Sequence, residues 1–265
     1  MTPRIAASTY LNSAPLVYAL TEGTQRALCR LAPDPAPSTC ARMLSEGSAD
    51  IALVPSIEAQ RIAGTVVMHD VCVAARSSVR SVLLVSRREL GAIGSIALDD
   101  QSRTSAALVR ILMPRLAGVR PRYMPAAPDL GAMLENNDAA LIIGDPAMAA
   151  DTTGLHVFDL AALWREYANL PFVFALWAGR PERLEDSHVD FESARDEGVR
   201  AIPAIARRYA SVLGRPESDL VDYLTSSIHY HLDAESLAGL ELFYRLAHEE
   251  GLIDPPRALE FWPTR

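Results

Sequence analysis

The stretch IALDDQSRTSAALVRILMPRLAG, residues 96–118, joins a short apolar strand to an amphipathic helix through a strongly polar junction. The junction gathers two acids, one amide and three hydroxyls around Arg103, and the apolar pattern that follows ends near Gly118. The first N–H groups of a helix lack internal acceptors, and the helix dipole makes that end partly positive. A strand that leads into such a helix start predicts an anion-binding corner of an α/β protein.

Strands and helices also alternate before this stretch. Three β-rich runs are separated by two helical patterns, with Ser13 and Ser38 placed to cap the helices and Gly23 and Gly47 near their ends. In chain order, the predicted elements are RIAAS (4–8), SAPLVYALTEG (13–23), LCRLA (28–32), STCARMLSEG (38–47) and DIALVP (50–55). This order favours a mostly parallel sheet with helices on both faces.

A second series of strands and helices extends through the middle of the chain. Two adjacent strand-like runs precede it, and one more strand closes it. Besides residues 96–118, the runs are VVMHDVCVAAR (66–76), VRSVLLVS (79–86), RPRYMP (120–125), DLGAMLENN (129–137), AALIIG (139–144), DPAMAA (145–150) and LPFVFALWAGR (170–180). The RPRYMP run predicts an exposed strand, and the DPAMAA run predicts a short helix.

The remainder of the chain is predicted to be helical. Apolar residues recur at three- and four-residue spacing in residues 188–214, with an interruption at Pro203, and again in residues 233–251. Two α/β series and a helical tail resemble the type 2 periplasmic-binding-protein architecture, in which a ligand lies in a cleft between two lobes. We expect lobe 1 to comprise residues 1–85 and 175–265, lobe 2 residues 86–174, and the tail to return to lobe 1.

Composition excludes several classes of protein. The net charge of −8 disfavours a nucleic-acid partner, and every fixed cation is an arginine. Three widely spaced cysteines fit neither a disulfide framework nor a zinc site; they are Cys29, Cys40 and Cys72. No run approaches the roughly 20 apolar residues of a membrane helix, and the start of the chain is too polar for a signal peptide. We therefore expect a cytoplasmic protein that binds no membrane.

No familiar cofactor or metal motif is present. The sequence lacks G-x-G-x-x-G, a P-loop, H-E-x-x-H and G-x-S-x-G. Its six histidines are scattered, and His229 and His231 have the wrong spacing to bind a metal on one helix face. We therefore expect neither a metal nor a cofactor.

Four polar junctions follow predicted strands and lead into helices. They are STYLNSAP (8–15), VPSIEA (54–59), DDQSRTSA (99–106) and GDPA (144–147). In open α/β sheets this edge collects ligands, so four such corners together indicate a binding site. Taken singly, each has a structural alternative. Serine and threonine cap helices, Glu58 and Asp145 fit as first-turn acids, and Arg103 fits a surface ion pair.

Six strings of this sequence, in order and spacing, resemble the chorismate dehydratases of the futalosine route to menaquinone. They are RIAASTYLNSAPLVYAL, SADIALVPSIEA, RSVLLVS, IALDDQSRTSAAL, AALIIGDPAM and LPFVFALWAGR, and they span roughly residues 4–180. The resemblance implies loss of water from chorismate to give 3-[(1-carboxyvinyl)oxy]benzoate. Chorismate is a small dianion, which suits a cleft rich in helix starts.

The matching positions carry few ionisable groups, which suggests that the enolpyruvyl carboxylate of the substrate removes the ring proton. The resemblance implies catalytic roles for Asn12 and Ser81, while Glu58 is the alternative protein base. The expected substrate-binding residues are Ser56, Ser102, Arg103, Thr104, Ser105, Gly144, Asp145 and Phe172. Phe172 and Phe174 alternate along one strand and so share a face, and core packing is the alternative for at least one of them.

Other functions remain open from sequence. A transporter's solute-binding protein, a cytosolic small-anion-binding protein or regulator, and a 1,4-dihydroxy-6-naphthoate synthase-like enzyme share this architecture. The SRTS and YLN strings favour the dehydratase. The apolar residues of LAGLELFYRLAHEE (237–250) fit either a homodimer face or packing on lobe 1.

Overall fold

The computed structural model describes residues 2–32, 36–185 and 187–262, which contain two five-stranded sheets. The ten strands are β1 (Arg4–Ala6), β2 (Arg30–Leu31), β3 (Ile51–Pro55), β4 (Val66–Ala75), β5 (Val82–Ser86), β6 (Ser95–Asp99), β7 (Arg122–Ala126), β8 (Ala139–Ile143), β9 (His156–Asp159) and β10 (Phe172–Gly179). The first sheet has the order β2-β1-β3-β10-β4, and the second has the order β7-β6-β8-β5-β9.

Helices surround both sheets. They are α1 (Ala14–Thr21), α2 (Pro37–Ser45), α3 (Glu58–Arg61), α4 (Arg103–Leu112), α5 (Leu130–Glu135), α6 (Gly144–Ala149), α7 (Leu160–Ala168), α8 (Pro181–Leu184), α9 (Phe191–Arg200), α10 (Ile202–Leu213), α11 (Glu217–Asp222) and α12 (Ala234–Glu249). Two π-helical turns, Met113–Ala117 and Tyr223–Ser227, continue α4 and α11. None of the helices in the described ranges is long and apolar enough to cross a membrane.

Pairing within the sheets is half parallel. The β2-β1-β3 and β7-β6-β8 pairings are parallel, as the alternating pattern predicts. β10 instead runs antiparallel to β3 and β4, and β5 runs antiparallel to β8 and β9. Each sheet therefore combines a parallel α/β half with antiparallel strands, because the chain passes between the two sheets rather than completing one at a time.

The two crossings between the sheets differ from the expected positions. β4 belongs to the first sheet and β5 to the second, so the chain crosses within residues 76–81 rather than near residue 85. It returns before Phe172 rather than near residue 175, because all of β10 lies in the first sheet. β5 is buried along its whole length, so its residues show no alternation that identifies the partner sheet. The division into two lobes itself remains a proposal.

Helix starts also differ in detail from the sequence prediction. Ser13 precedes α1, but its hydroxyl donates to the Ser8 carbonyl oxygen at 2.7 Å rather than capping the helix. Ser38 lies inside the first turn of α2, after Pro37. In the tail, the break between α9 and α10 falls at Ala201, since proline is accommodated in the first turn of the next helix. β9 and α7 are elements that we did not predict.

The helical tail contacts both sheets. α9 packs against α1 and β4, whereas α12 packs against β10 and also against α4 of the second sheet. The α9 contact is very close, because a Cβ at Gly198 would lie 1.7 Å from the carbonyl oxygen of Pro15. The apolar face of α12 is therefore occupied within the chain, as the packing alternative predicts, although its partners are not confined to lobe 1.

Candidate active site

A cavity that opens to solvent, with about 560 Å³ of atom-free space including its mouth, lies where the strands of both sheets end. Its polar lining residues are Ser8, Tyr10, Asn12, Ser13, Gln101, Ser102, Arg103, Thr104 and Ser105, and its apolar wall includes Leu53, Val73, Val82, Ile143 and Phe174. The first group comes from the loop after β1 and from the β6–α4 junction, which belong to different sheets. Five predicted site residues therefore meet here. They are Asn12, Ser102, Arg103, Thr104 and Ser105.

Asn12 is the polar side chain with the most freedom to bind a ligand. It occupies the middle of a single 3₁₀ turn, Leu11–Ser13, between buried residues on both sides. Its side-chain amide makes no hydrogen bond to any residue in the described ranges, yet it is only half-exposed. A half-buried amide with both donors and its acceptor unused is suited to hold a polar ligand.

The start of α4 supplies further free donors. Ser102 occupies the cap position without a side-chain capping bond, and the first helical bond runs from the Ala106 N–H to the Ser102 carbonyl oxygen. The preceding N–H groups of the helix, those of residues 103–105, have no intrahelical acceptor. The hydroxyls of Ser102 and Ser105 also bond to no described residue, so they and the helix start can bind an anion.

Arg103 of α4 forms an ion pair with Glu58, which begins α3 after strand β3 of the first sheet. Its Nη1 lies 2.9 Å from Oε2 of Glu58, whose other oxygen accepts from Nη1 of Arg61 at 2.8 Å. The Glu58 side chain is 5% exposed, whereas that of Arg103 is 40% exposed. Glu58 is therefore a buried carboxylate with two cationic partners, which suits it to structure better than to proton abstraction.

Thr104 and Ser56 connect the two sheets. The Thr104 hydroxyl accepts from the Ile57 N–H at 3.2 Å and lies 3.4 Å from the Ser56 hydroxyl. The Ser56 hydroxyl donates to the Val173 carbonyl oxygen at 2.7 Å and is fully buried. Ser56 thus lies behind the cavity wall rather than in its lining, and it supports Thr104 from there.

Ser81 is not brought to the cavity. Its hydroxyl is fully buried and lies 2.6 Å from the hydroxyl of Tyr223, and its carbonyl oxygen accepts from the Gly144 N–H at 2.7 Å. Burial raises the pKa of Tyr223 above its ordinary value, so this pair is a neutral hydrogen bond. The Ser81 hydroxyl therefore contacts Tyr223 of the tail rather than lining the cavity, and its catalytic role stays a prediction.

Gly144 and Asp145 contact the loop after β1 and do not line the cavity. A Cβ at Gly144 would lie 2.5 Å from Cδ2 of Tyr10, and its φ of +62° is one that glycine adopts readily. Asp145 Oδ1 accepts from the Leu11 N–H at 2.8 Å. The close approach that we expected for substrate at Gly144 is therefore taken by an aromatic ring of the protein itself.

Phe172 belongs to the core and Phe174 to the cavity wall. Phe172 is 1% exposed and packs edge-on against Trp164 and Phe243, with ring centroids 5.2 and 5.1 Å apart. Phe174 is 8% exposed and lines the cavity. The two rings share a face, with centroids 4.8 Å apart, but only Phe174 lines the cavity. The assignment of Phe172 to substrate binding is therefore replaced by Phe174.

Sequence reasoning missed Tyr10, Gln101 and Asp99. The first two lie inside junctions that the sequence singled out, and the Tyr10 hydroxyl donates to Gln101 Oε1 at 2.9 Å. Asp99 ends β6 with a side chain 2% exposed, and its Oδ1 accepts from the Gln101 N–H at 2.9 Å. The other oxygen, Oδ2, has no partner in the described part of the chain. Burial raises the pKa of Asp99 to about 6, and the neighbouring charge of Asp100 adds to this effect.

The raised pKa of Asp99 predicts a pH-dependent stability. The folded protein binds more protons than the unfolded chain between about pH 4 and pH 6, so this carboxyl lowers the free energy of unfolding as the pH rises through that window. The Asp99→Asn variant should therefore gain stability relative to the parent by up to about 3 kcal/mol between pH 4 and pH 7, measured by urea unfolding. The exposed Asp254, changed to Asn, is the control; an equal difference at every pH for Asp99→Asn contradicts the prediction.

A larger cavity that opens to solvent, with about 1100 Å³ of atom-free space including its mouth, lies between the start of α9 and the outer strand β4. Its buried cation, Arg195, already pairs with Asp70 and Asp196, at 3.0 and 2.8 Å. No group of three or more metal-ligating side chains occurs among the described residues. The cavity at the strand ends, with unpaired donors on both sides, is therefore the candidate active site.

Solved structures share this fold. The alkanesulfonate-binding protein SsuA from Xanthomonas axonopodis pv. citri, bound to MOPS, aligns with a TM-score of 0.71 and 15% identity over 98% of this chain and 97% of its own. A protein from Archaeoglobus fulgidus aligns with a TM-score of 0.69 and 19% identity over 95% and 98% of the two chains. At such identities the likeness concerns the fold alone, and it confirms the predicted periplasmic-binding-protein-like architecture.

Two sequence comparisons identify the family. The model of a family described as menaquinone biosynthesis matches residues 3–249. The chorismate dehydratase of Thermus thermophilus is 31% identical over 256 residues, which cover 88% of this chain and 91% of that protein. Both matches extend into the helical tail, beyond the strings that carry the resemblance in sequence. This chain therefore belongs to the menaquinone biosynthesis family and is a relative of chorismate dehydratase.

Proposed function

We propose that this protein is a hydro-lyase that converts chorismate to 3-[(1-carboxyvinyl)oxy]benzoate and water. The observation that carries the proposal is a cavity between two sheets that is lined by unpaired amide and hydroxyl groups and by the start of a helix, with no carboxylate among its described lining residues. Asn12 supplies an amide, and Ser102 and Ser105 supply hydroxyls beside the start of α4. Such a lining suits a small dianion that brings its own carboxylates.

The two ends of the substrate have complementary positions in this cavity. A carboxylate at the start of α4 accepts from the helix N–H groups and from the serine hydroxyls, and Arg103 adds a positive charge at the same edge. The opposite wall, with Asn12, comes from the first sheet. A substrate held by both walls is bent, with its enolpyruvyl arm over the ring, which places that carboxylate near the ring proton.

The elimination then requires little chemistry from the protein. The enolpyruvyl carboxylate takes the proton from the ring carbon that carries the ether oxygen. The electrons of that C–H bond form a ring double bond, and the C–O bond to the neighbouring hydroxyl breaks. The departing hydroxide receives the proton and leaves as water, so the ring becomes aromatic and no base of the protein is consumed. Glu58, held by two arginines, is not needed as the base.

The proposed function is tested by incubating the purified protein with chorismate and, separately, with the cyclic futalosine derivative that a dihydroxynaphthoate synthase uses. We expect the carboxyvinyloxybenzoate from chorismate, detected by chromatography and mass spectrometry, and no naphthoate from the second substrate. Naphthoate formation without any product from chorismate would assign the protein to the later reaction instead.

Arg103 should contribute to substrate affinity more than to turnover. We expect Arg103→Ala to raise KM for chorismate by roughly 10-fold or more, because a charge-assisted hydrogen bond to a carboxylate is lost. Arg61→Ala is the matched control, since Arg61 pairs with the same Glu58 but does not line the cavity. Equal effects of the two variants on KM would show that Arg103 acts only through Glu58.

A further inference from the structure

The phenol of Tyr10 fixes the orientation of a neighbouring amide. Its hydroxyl donates to Gln101 Oε1 at 2.9 Å, although the two residues are 91 positions apart and follow strands of different sheets. Tyr10 itself is held by its ring, which lies against Gly144, and by its carbonyl oxygen, which accepts from the Ser13 and Ala14 N–H groups at 3.0 and 3.1 Å. The position of the Tyr10 hydroxyl is therefore fixed.

The backbone of Gln101 is fixed as well. Its N–H donates to Asp99 Oδ1 at 2.9 Å, and the Ser102 N–H donates to the Asp99 carbonyl oxygen at 3.1 Å. The loop and the side-chain amide are thus both held, with the Gln101 Oε1 turned toward the Tyr10 hydroxyl. The Gln101 Nε2 group then has a defined direction, and it makes no hydrogen bond to any residue in the described ranges.

This orientation matters because the amide lines the same cavity as Asn12 and the start of α4. With its oxygen turned toward the Tyr10 hydroxyl, the amide presents its N–H groups to a ligand. The opposite orientation would turn a carbonyl oxygen toward a dianion and repel it. The two neutral N–H donors also add no charge to the cavity, so they favour an oxygen of a carboxylate or a hydroxyl over a hydrophobic group.

We propose that Gln101, held by Tyr10, is a specificity-determining residue whose amide N–H groups bind an oxygen of the anionic substrate, with Tyr10 as its positioning residue. This inference rests on the proposed function for the identity of the substrate. It goes beyond that function in naming a donor contributed by the β6–α4 loop and the interaction between the two sheets that orients it.

Gln101→Glu separates this role from a purely structural one. A glutamate keeps an oxygen for the Tyr10 hydroxyl, so the bond between the sheets survives, but a carboxylate replaces the amide donor. We expect KM for chorismate to rise roughly 10- to 100-fold, with kcat much less affected. The ratio of variant to parent KM should shrink toward pH 5, where protonation restores a donor. A merely structural contact predicts a KM near that of the parent and no such pH effect.

Tyr10→Phe tests the positioning role. The ring remains against Gly144, but the hydroxyl is lost and the Gln101 amide is free to rotate. We expect a smaller rise in KM, roughly 3- to 10-fold, and no further rise when Tyr10→Phe is added to Gln101→Glu, because the orienting bond then has no amide to orient. Fully additive effects of the two changes would remove Tyr10 from this role.

Binding of chorismate, measured by titration calorimetry, distinguishes the two proposals. If the parent protein binds chorismate without converting it, and Gln101→Glu weakens binding, the inference about Gln101 stands and the proposed function fails. If the parent converts chorismate and Gln101→Glu binds it equally well, the inference fails and the proposed function stands. A parent protein that neither binds nor converts chorismate overturns both.

Discussion

Replacement of Asn12 by alanine should lower kcat for chorismate by about 100- to 1,000-fold, with little change in the free energy of unfolding. The amide of Asn12 makes no hydrogen bond within the described residues, so its removal leaves no buried partner unsatisfied. What is lost is the group that holds the bent substrate in the reactive pose. Steady-state rates and urea unfolding of the same preparation measure the two quantities.

Glu58→Gln is the control for this prediction, because it removes the strongest alternative base. Glutamine keeps an oxygen for one of the two arginines, so we expect turnover within about 10-fold of the parent and a loss of stability of about 1–3 kcal/mol. If Glu58→Gln abolished turnover while Asn12→Ala did not, the protein would supply its own base and the substrate-assisted mechanism would be wrong.

The Gly198→Ala variant should lose about 4 kcal/mol of stability or more. The added methyl carbon would lie 1.7 Å from the carbonyl oxygen of Pro15 and 2.5 Å from its carbonyl carbon, so α9 must move away from α1. Backbone atoms of a helix cannot rotate aside as the end of a flexible side chain does. The midpoint of urea unfolding, at unchanged slope, reports the loss.

Gly91→Ala is the matched control for this variant. Apart from its chain neighbours, the nearest described atom to a Cβ at that position is the carbonyl oxygen of Ala117 at 3.9 Å, an ordinary contact distance. We expect its stability to lie within about 0.5 kcal/mol of the parent. Similar stabilities of Gly198→Ala and Gly91→Ala would mean that α9 and α1 approach each other less closely than the structure describes.

The start of α4 illustrates what local sequence determines. Ser102 followed by an amphipathic run signals a helix start whatever surrounds it, and the cap position, the free N–H groups and the neighbouring hydroxyls follow from that signal. Asn12 was found in the same way, from a polar turn between a strand and a helix that begins near Pro15. These residues reach the cavity because strand ends of an α/β sheet meet at one edge.

The residues placed differently depend on partners that are distant in sequence. Gly144 was expected to admit substrate, but the ring of Tyr10 occupies that space. Ser81 was expected to face the cleft, but it bonds to Tyr223 from the tail, for which the sequence offered no motif. Phe172 and Phe174 share a face, and only the depth of each along β10 decides which one reaches the cavity.

The sequence also does not show which of the two sheets each strand joins. β5 is apolar along its length, and nothing in a uniformly buried strand specifies which of two sheets it joins. β9 and α7 went unpredicted between a short helix and the strand of Phe172. The start of α7 is nevertheless marked by Asp159, whose side chain accepts from the N–H groups of Ala161 and Ala162.

The insertion of β10 between β3 and β4 has a consequence for biosynthesis. A ribosome that has released residues 1–159 has delivered every strand of the second sheet but only four strands of the first. Until residues 172–179 emerge, β3 and β4 each present an open hydrogen-bonding edge, which is the kind of edge that invites association between nascent chains. All strands of the second sheet are therefore available before those of the first. The first sheet is completed only when β10 has been synthesised.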